Sequence, residues 1–120
     1  METLDIIESV VKSDLIFEAL DDAYQIAFNE AYDGKDYTRI LAVKKKYEKI
    51  KEKAYNNPEE IVSSVIVYIN AHNMREDISG LSKEELEQLC YAILVRIFLS
   101  KFGCEEYEDS RLVEVMTGEV

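Results

Sequence analysis

Residues 39–53, RILAVKKKYEKIKEK, combine a helical apolar pattern with seven of the chain's 14 positive charges. Apolar side chains recur every three or four residues along and just beyond this segment, at Ile40, Val43, Tyr47, Ile50 and Ala54. This spacing places them along one side of an α-helix, in the narrow stripe typical of a helix that packs lengthwise against its neighbours. We therefore predict a long helix over residues 37–56.

The segment before this helix carries the opposite charge. Residues 1–34 contain nine acids and one lysine, a net charge of −8, whereas residues 35–56 contain eight bases and three acids, a net charge of +5. Because only the short sequence DGKD joins the two predicted helices, we expect them to lie antiparallel. The lysines would then flank acids of the preceding helix, and the basic run would serve mostly as an internal counter-charge.

Start and stop signals divide the rest of the chain into further helices. The first apolar stripe breaks near Ser13, because the next residues on the same face are acidic. Asn57-Pro58 gives an N-cap followed by proline at the first helical position, and Ser82 and Glu85 have the spacing of a capping box. The predicted helices cover approximately residues 4–12, 14–33, 37–56, 58–73, 83–102 and 106–116.

These patterns predict an all-α fold. The chain has 120 residues, of which 48% are hydrophobic, and this is enough for a single core without disulfides or metal. No segment rich in glycine, serine or proline separates two cores. We expect one helical domain over residues 1–120, a four-helix bundle flanked by a short N-terminal helix and a short C-terminal amphipathic element.

The sequence offers few candidates for catalysis. His72 is the single histidine, and the four glycines are isolated, so no phosphate-binding loop is present. Asp14, Glu18, Asp21 and Asp22 lie on the polar stripe of their helix, opposite the apolar one, as in a solvated face. We expect no catalytic residue, metal or cofactor, and a metal-dependent carboxylate enzyme is an alternative.

The predicted partner-binding residues lie mainly near the two ends of the chain. Short amphipathic segments there offer apolar surface to a second chain. The candidates are Leu4, Ile7, Val11, Arg96, Tyr107, Leu112, Val113 and Met116. Arg96 is included because it is the only charge in an otherwise apolar stretch, so it must reach solvent or meet a carboxylate. Tyrosines 32, 37 and 55 lie near helix ends, where a half-exposed ring can anchor a partner.

Two charged faces suggest alternative functions. The acidic face, formed by Asp14, Glu18, Asp21 and Asp22, suits an inhibitor that imitates nucleic acid in the groove of a basic protein. The basic face suits binding of the nucleic-acid backbone, and its candidates are Lys44, Lys45, Lys49 and Lys53. A net charge of −11 would repel a polyanion over most of the surface, so protein partners rank above nucleic acid.

The remaining signals concern location. No apolar run is long enough to span a bilayer, and the first residues carry acids where a secretory signal needs positive charge. We expect a soluble cytoplasmic protein with two reduced cysteines and no membrane association. The leading hypothesis is a small acidic helical protein–protein interaction module, an adaptor, regulatory or assembly subunit, whose partner is another protein or a second copy of itself.

Overall fold

The computed structural model describes the backbone of residues 2–104, and the side chains of residues 5–74 and 76–104. Within this range the chain forms six α-helices and no strand, so the all-α class is confirmed for this part of the molecule. The helices are α1 Glu2–Val11, α2 Leu15–Asp33, α3 Tyr37–Asn56, α4 Pro58–Ala71, α5 Arg75–Ser79 and α6 Lys83–Lys101.

The predicted helix bounds agree with α1, α2, α3, α4 and α6 to within two residues at each end. The largest difference at a C-terminus is in α4, which ends at Ala71 because the chain turns at Asn73, where φ is +53°. The single-turn helix α5 is missing from the prediction. Met74, which precedes α5, and Ile78, near its end, are both buried. The helix predicted over residues 106–116 lies outside the described residues.

Local side-chain bonds explain where the helices begin. In α6, the Ser82 hydroxyl accepts from the Glu85 amide at 3.2 Å, and the Glu85 carboxylate accepts from the Ser82 amide at 3.1 Å, which is the expected capping box. In α3, Asp36 accepts from the Arg39 amide at 3.0 Å. The predicted break between α1 and α2 is also present, and the N-cap residue of α2 is Asp14.

The helices share one hydrophobic core, and α6 lies at its centre. This helix packs against α1, α2 and α4, and α2 packs in addition against α3. Nine residues of α6 are buried: Leu86, Leu89, Cys90, Ala92, Ile93, Leu94, Val95, Phe98 and Leu99. The buried face of α2 contains four alanines, whose small side chains let neighbouring backbones approach closely.

The first helix belongs to this core. Ile7 and Val11 are both 0% exposed, and α1 packs on α4 and α6. These two residues therefore have no surface to offer a second chain, which corrects their assignment as partner-binding residues. The part of the α1 stripe formed by Ile7 and Val11 is already covered by α4 and α6, which follow much later in the sequence. The side chain of Leu4 lies outside the described residues.

Candidate functional site

The interface between α2 and α3 has the expected antiparallel arrangement. Early residues of α2 meet late residues of α3, and late residues of α2 meet early ones. The pairs are Phe17 with Tyr55 (6.2 Å between ring centroids), Tyr24 with Tyr47 (4.3 Å) and Glu30 with Arg39 (3.1 Å between carboxylate and guanidinium). Two of these three contacts are made by aromatic rings.

The lysines of α3 do not neutralise the acidic face. Within residues 2–104, the ion pairs of α3 are Arg39 with Glu30 and Lys53 with Glu60, the latter on α4. Lys44, Lys45 and Lys49 are exposed and form no ion pair in this part of the chain. Within the described residues, the expected counter-charge role therefore applies to Arg39 and not to these lysines. The physical reason is that the ring of Tyr47, and not a lysine, occupies the position of α3 that faces α2.

Two aspartates of the acidic face are held by tyrosines instead. The Tyr47 hydroxyl of α3 donates to Asp21 at 2.6 Å, and the Tyr91 hydroxyl of α6 donates to Asp22. Adjacent residues of α2 are thereby connected to the two helices on either side of it. Asp14 and Glu18 are exposed and have no ion pair within the described residues.

Four rings along this interface form what we call the aromatic surface: Tyr24, Phe28, Tyr32 and Tyr47. Tyr24 stacks on Tyr47, and successive rings of α2 lie 6.0 Å and 6.3 Å apart. Tyr24 also contacts the buried ring of Phe102 at 6.2 Å, which connects the aromatic surface to the core. Tyr32 is 63% exposed, whereas the other three rings are half-buried.

Polar contacts fix the positions of these rings. The hydrogen bond to Asp21, together with partial burial, raises the pKa of Tyr47 to about 12, so this hydroxyl remains a donor at neutral pH. Lys44 lies 5.8 Å from the centre of the Phe28 ring and Lys51 lies 5.6 Å from that of Tyr47, both within cation–π range. The surface is thus ordered before any partner arrives.

A cavity of about 560 Å³ opens on the aromatic surface. Its lining consists of Asp21, Tyr24, Gln25, Phe28, Asn29, Lys44 and Tyr47. The volume lies within the range of about 300–1,000 Å³ that is typical of ligand pockets. Aromatic walls with amide and charged groups at the edge can accept an apolar side chain and hydrogen-bond the polar groups around it.

Tyr47 and the two cysteines do not have the lowered pKa of an activated nucleophile. Tyr47 stays protonated at neutral pH, as stated above. Burial raises the pKa of the Cys90 thiol to about 12, and burial also raises the pKa of Cys104. Because the thiolate is the reactive form of cysteine, these shifts make both thiols poor nucleophiles. Within residues 2–104, no group of three His, Cys, Asp or Glu side chains is placed to hold a metal ion.

Of the remaining predicted partner residues, the one whose side chain the structure describes lies on a helix other than α2 and α3. Arg96 is half-buried on α6, beside Tyr68 of α4. Tyr107, Leu112, Val113 and Met116 lie outside the described residues. The aromatic surface was not among the predicted partner sites, apart from Tyr32. Its signal in the sequence is the spacing of Tyr24, Phe28 and Tyr32, every four residues along α2.

Two further observations concern the apolar length of the helices and the similarity of the chain to known proteins. None of the helices between Glu2 and Lys101 combines the length and the apolar character needed to cross a membrane. Comparison of the chain with protein-family models, curated proteins and solved structures gives no match. Its function must therefore be inferred from its own geometry.

Proposed function

We propose that this protein is a non-catalytic protein–protein interaction module, an adaptor, regulatory or assembly subunit, that binds its partner through the aromatic surface of α2 and α3. The partner is another protein or a second copy of the chain. The observation that carries the proposal is a row of partly exposed rings that the molecule itself holds in place.

Three properties of the aromatic surface support a protein partner. Tyrosine is enriched at the energetic centres of protein interfaces, because it offers apolar area together with a hydroxyl. Rings already ordered by Asp21 and Lys44 lose little conformational entropy on binding. The surrounding groups are amides and charges of both signs, which resemble the polar rim of a protein interface more than a uniformly basic nucleic-acid site.

The test compares partner binding by a variant of the aromatic surface with that of a control variant on α4. The control residue is matched to Tyr32 in exposure. Tyr32 is 63% exposed on α2 and Val67 is 64% exposed on α4. Purified wild-type protein, the double variant Phe28→Ser/Tyr32→Ser, and the control Val67→Ser are each used to retain partners from a native extract. Light scattering across a concentration series reports self-association of the same three proteins.

We expect the double variant to lose the retained partner or the self-associated species, and Val67→Ser to keep it. Circular dichroism checks that the double variant is folded, because Phe28 is half-buried, and Tyr32→Ser alone provides a test with less disturbance of packing. Equal retention and equal mass for all four proteins would contradict the proposal.

A second candidate function is nucleic-acid binding, and the exposed lysines of α3 favour it. Lys44, Lys45 and Lys49 keep their charge available at the surface, and aromatic rings lie beside them. Against it, the acidic face of the neighbouring helix α2 would repel the phosphates. Fluorescence anisotropy with a single-stranded oligonucleotide at about 50 mM salt tests this candidate. Binding that weakens in Lys45→Gln/Lys49→Gln supports it, and an unchanged anisotropy excludes it.

The acidic face is less complete as an imitation of nucleic acid than the sequence suggests. Asp21 and Asp22 accept hydrogen bonds from tyrosines of this chain, so two of its four carboxylates already have internal roles. Of these four, Asp14 and Glu18 are exposed and have neither an ion pair nor a side-chain hydrogen bond within the described part of the chain. We therefore rank this function below the other two.

We also propose that α2, α3, α4 and α6 form a four-helix bundle. In support, α2 packs on α3, α3 on α4, α4 on α6 and α6 on α2, so that the four contacts close a ring. The helix α1 then covers α4 and α6. An experimental structure in which α3 and α4 are separated would contradict this architecture.

The proposed location is the cytoplasm. Both cysteines are free and buried, which suits a compartment where thiols stay reduced. The test is fractionation of the native host. Detection of the protein outside the cytoplasmic fraction would contradict this location.

A further inference from the structure

A second cavity, of about 380 Å³, lies between α4 and the end of α6. Its polar lining residues are Ser64, Tyr68, His72, Arg96, Ser100 and Lys101. Three of these are basic side chains and three carry hydroxyl groups, whereas no carboxylate is among the described lining residues. This composition contrasts with the net charge of −11 of the whole chain. The cavity therefore concentrates donors and positive charge in an acidic protein.

Contacts within the molecule position part of this lining. The rings of Tyr68 and His72 stack with centroids 4.1 Å apart. His72 Nδ1 lies 2.9 Å from the Tyr68 carbonyl oxygen, and because a carbonyl only accepts, this nitrogen carries the hydrogen. Burial raises the pKa of Tyr68, and the nearby Arg96 guanidinium opposes that rise. Tyr68 thus connects two of the basic side chains.

We propose that this cavity binds a small oxyanion of the phosphate class, held by Arg96 and Lys101 and by the hydroxyls of Tyr68 and Ser100. The Ser64 hydroxyl already donates to the Glu60 carbonyl oxygen at 3.0 Å. A guanidinium can donate two parallel hydrogen bonds to one oxyanion, and such charge-assisted bonds are about twice as strong as neutral ones. Arg96 also interacts with other groups of this chain. Its five N–H donors allow it to keep such a contact and still bind an anion.

This inference goes beyond the proposed function and does not depend on it. The anion site is formed by α4 and α6, whereas the aromatic surface is formed by α2 and α3. A failure of one proposal therefore leaves the other untouched.

The test is a titration of the full chain with inorganic phosphate at constant ionic strength, followed by the NMR signals of the His72 ring and of the α4 and α6 amides. We expect saturable shifts in the wild type. In Arg96→Gln and in Lys101→Gln we expect binding about tenfold weaker, since each change removes a charge-assisted hydrogen bond. Lys83→Gln is the matched control, because it removes one exposed positive charge from the start of α6, at the other end of the helix from the cavity, and should leave the affinity unchanged.

Two features keep the titration decisive. Lys101 is exposed, so Lys101→Gln tests the site even if substitution of half-buried Arg96 disturbs the fold. Four carboxylates at positions 105, 106, 108 and 109 follow the cavity in sequence and could compete for the same donors. The titration is therefore repeated with all four changed to amides. Shifts that never saturate in either protein, or equal affinities for the wild type and both cavity variants, would overturn the proposal.

Discussion

Helix α2 is held on two sides by different kinds of contact. Toward α6 it contributes mainly to a dry core of alanines and aliphatic side chains, in which Ala19, Ala23 and Leu94 have no exposed surface. The hydrogen bond from Tyr91 to Asp22 lies at the exposed edge of this side. Toward α3 it contributes half-exposed rings, hydrogen bonds and one ion pair. The dry side contributes most of the stability, because hydrophobic burial scales with the apolar area removed from water. The ring-lined side adds less stability and leaves groups accessible to a partner.

The largest effect is expected from shortening a core side chain of α6. Leu94 is 0% exposed, and Leu94→Ala should lower the free energy of unfolding by about 2–5 kcal/mol through lost burial and a new cavity. Leu41 is 60% exposed on α3, so Leu41→Ala should change it by less than about 0.5 kcal/mol. Urea unfolding followed by circular dichroism measures both. Similar losses for the two variants would show that burial of Leu94 in the dry core contributes no more stability than an exposed side chain.

A smaller effect is expected from the hydrogen bond across the ring-lined side. Tyr47→Phe removes the donor to Asp21 but keeps the ring stacked on Tyr24, so the loss should be about 1 kcal/mol at neutral pH. Tyr37→Phe is the control, because Tyr37 is 71% exposed. If Tyr47→Phe were as harmful as Leu94→Ala, the α2–α3 interface would be a second source of core stability.

The difference between wild type and Tyr47→Phe should disappear at high pH. The folded state raises the pKa of Tyr47 from 10.0 to about 12, so folding favours the protonated phenol. The stabilisation is fully present below pH 10 and is lost as the pH rises through about 12. Urea unfolding of both proteins from pH 8 upward measures the difference, and Tyr37→Phe serves as the control. A constant difference across this range would show that the Tyr47 hydroxyl contributes nothing through Asp21.

The helix positions could be predicted because their signals are local. The capping pair Ser82 and Glu85, Pro58 at a first helical position, and the stripe of α3 all act within a few residues. The single turn α5 was missed because five residues are too few to show a helical period, and its position depends on burial of Met74 and Ile78.

The contacts between helices could be predicted only in part. In the sequence the stripe of α1 suggests free surface, because the helices that cover Ile7 begin more than 50 residues later. The lysines were assigned to the acids of α2 from charge alone. Exposed ion pairs contribute only about 0–1 kcal/mol, so they do not determine which side chain of α3 faces α2. Tyr47 occupies that position, stacks on Tyr24 and donates a hydrogen bond to Asp21.

The two neighbouring aspartates of α2 have a mechanical consequence. Asp21 accepts from α3 and Asp22 accepts from α6, and consecutive residues of a helix point about 100° apart. Rotation of α2 about its long axis in either direction would therefore break the geometry of these two hydrogen bonds. Translation of α2 together with α3 and α6 keeps both bonds. A force applied at the α2–α3 interface should therefore move α6 together with α2 and should not rotate α2 between its neighbours.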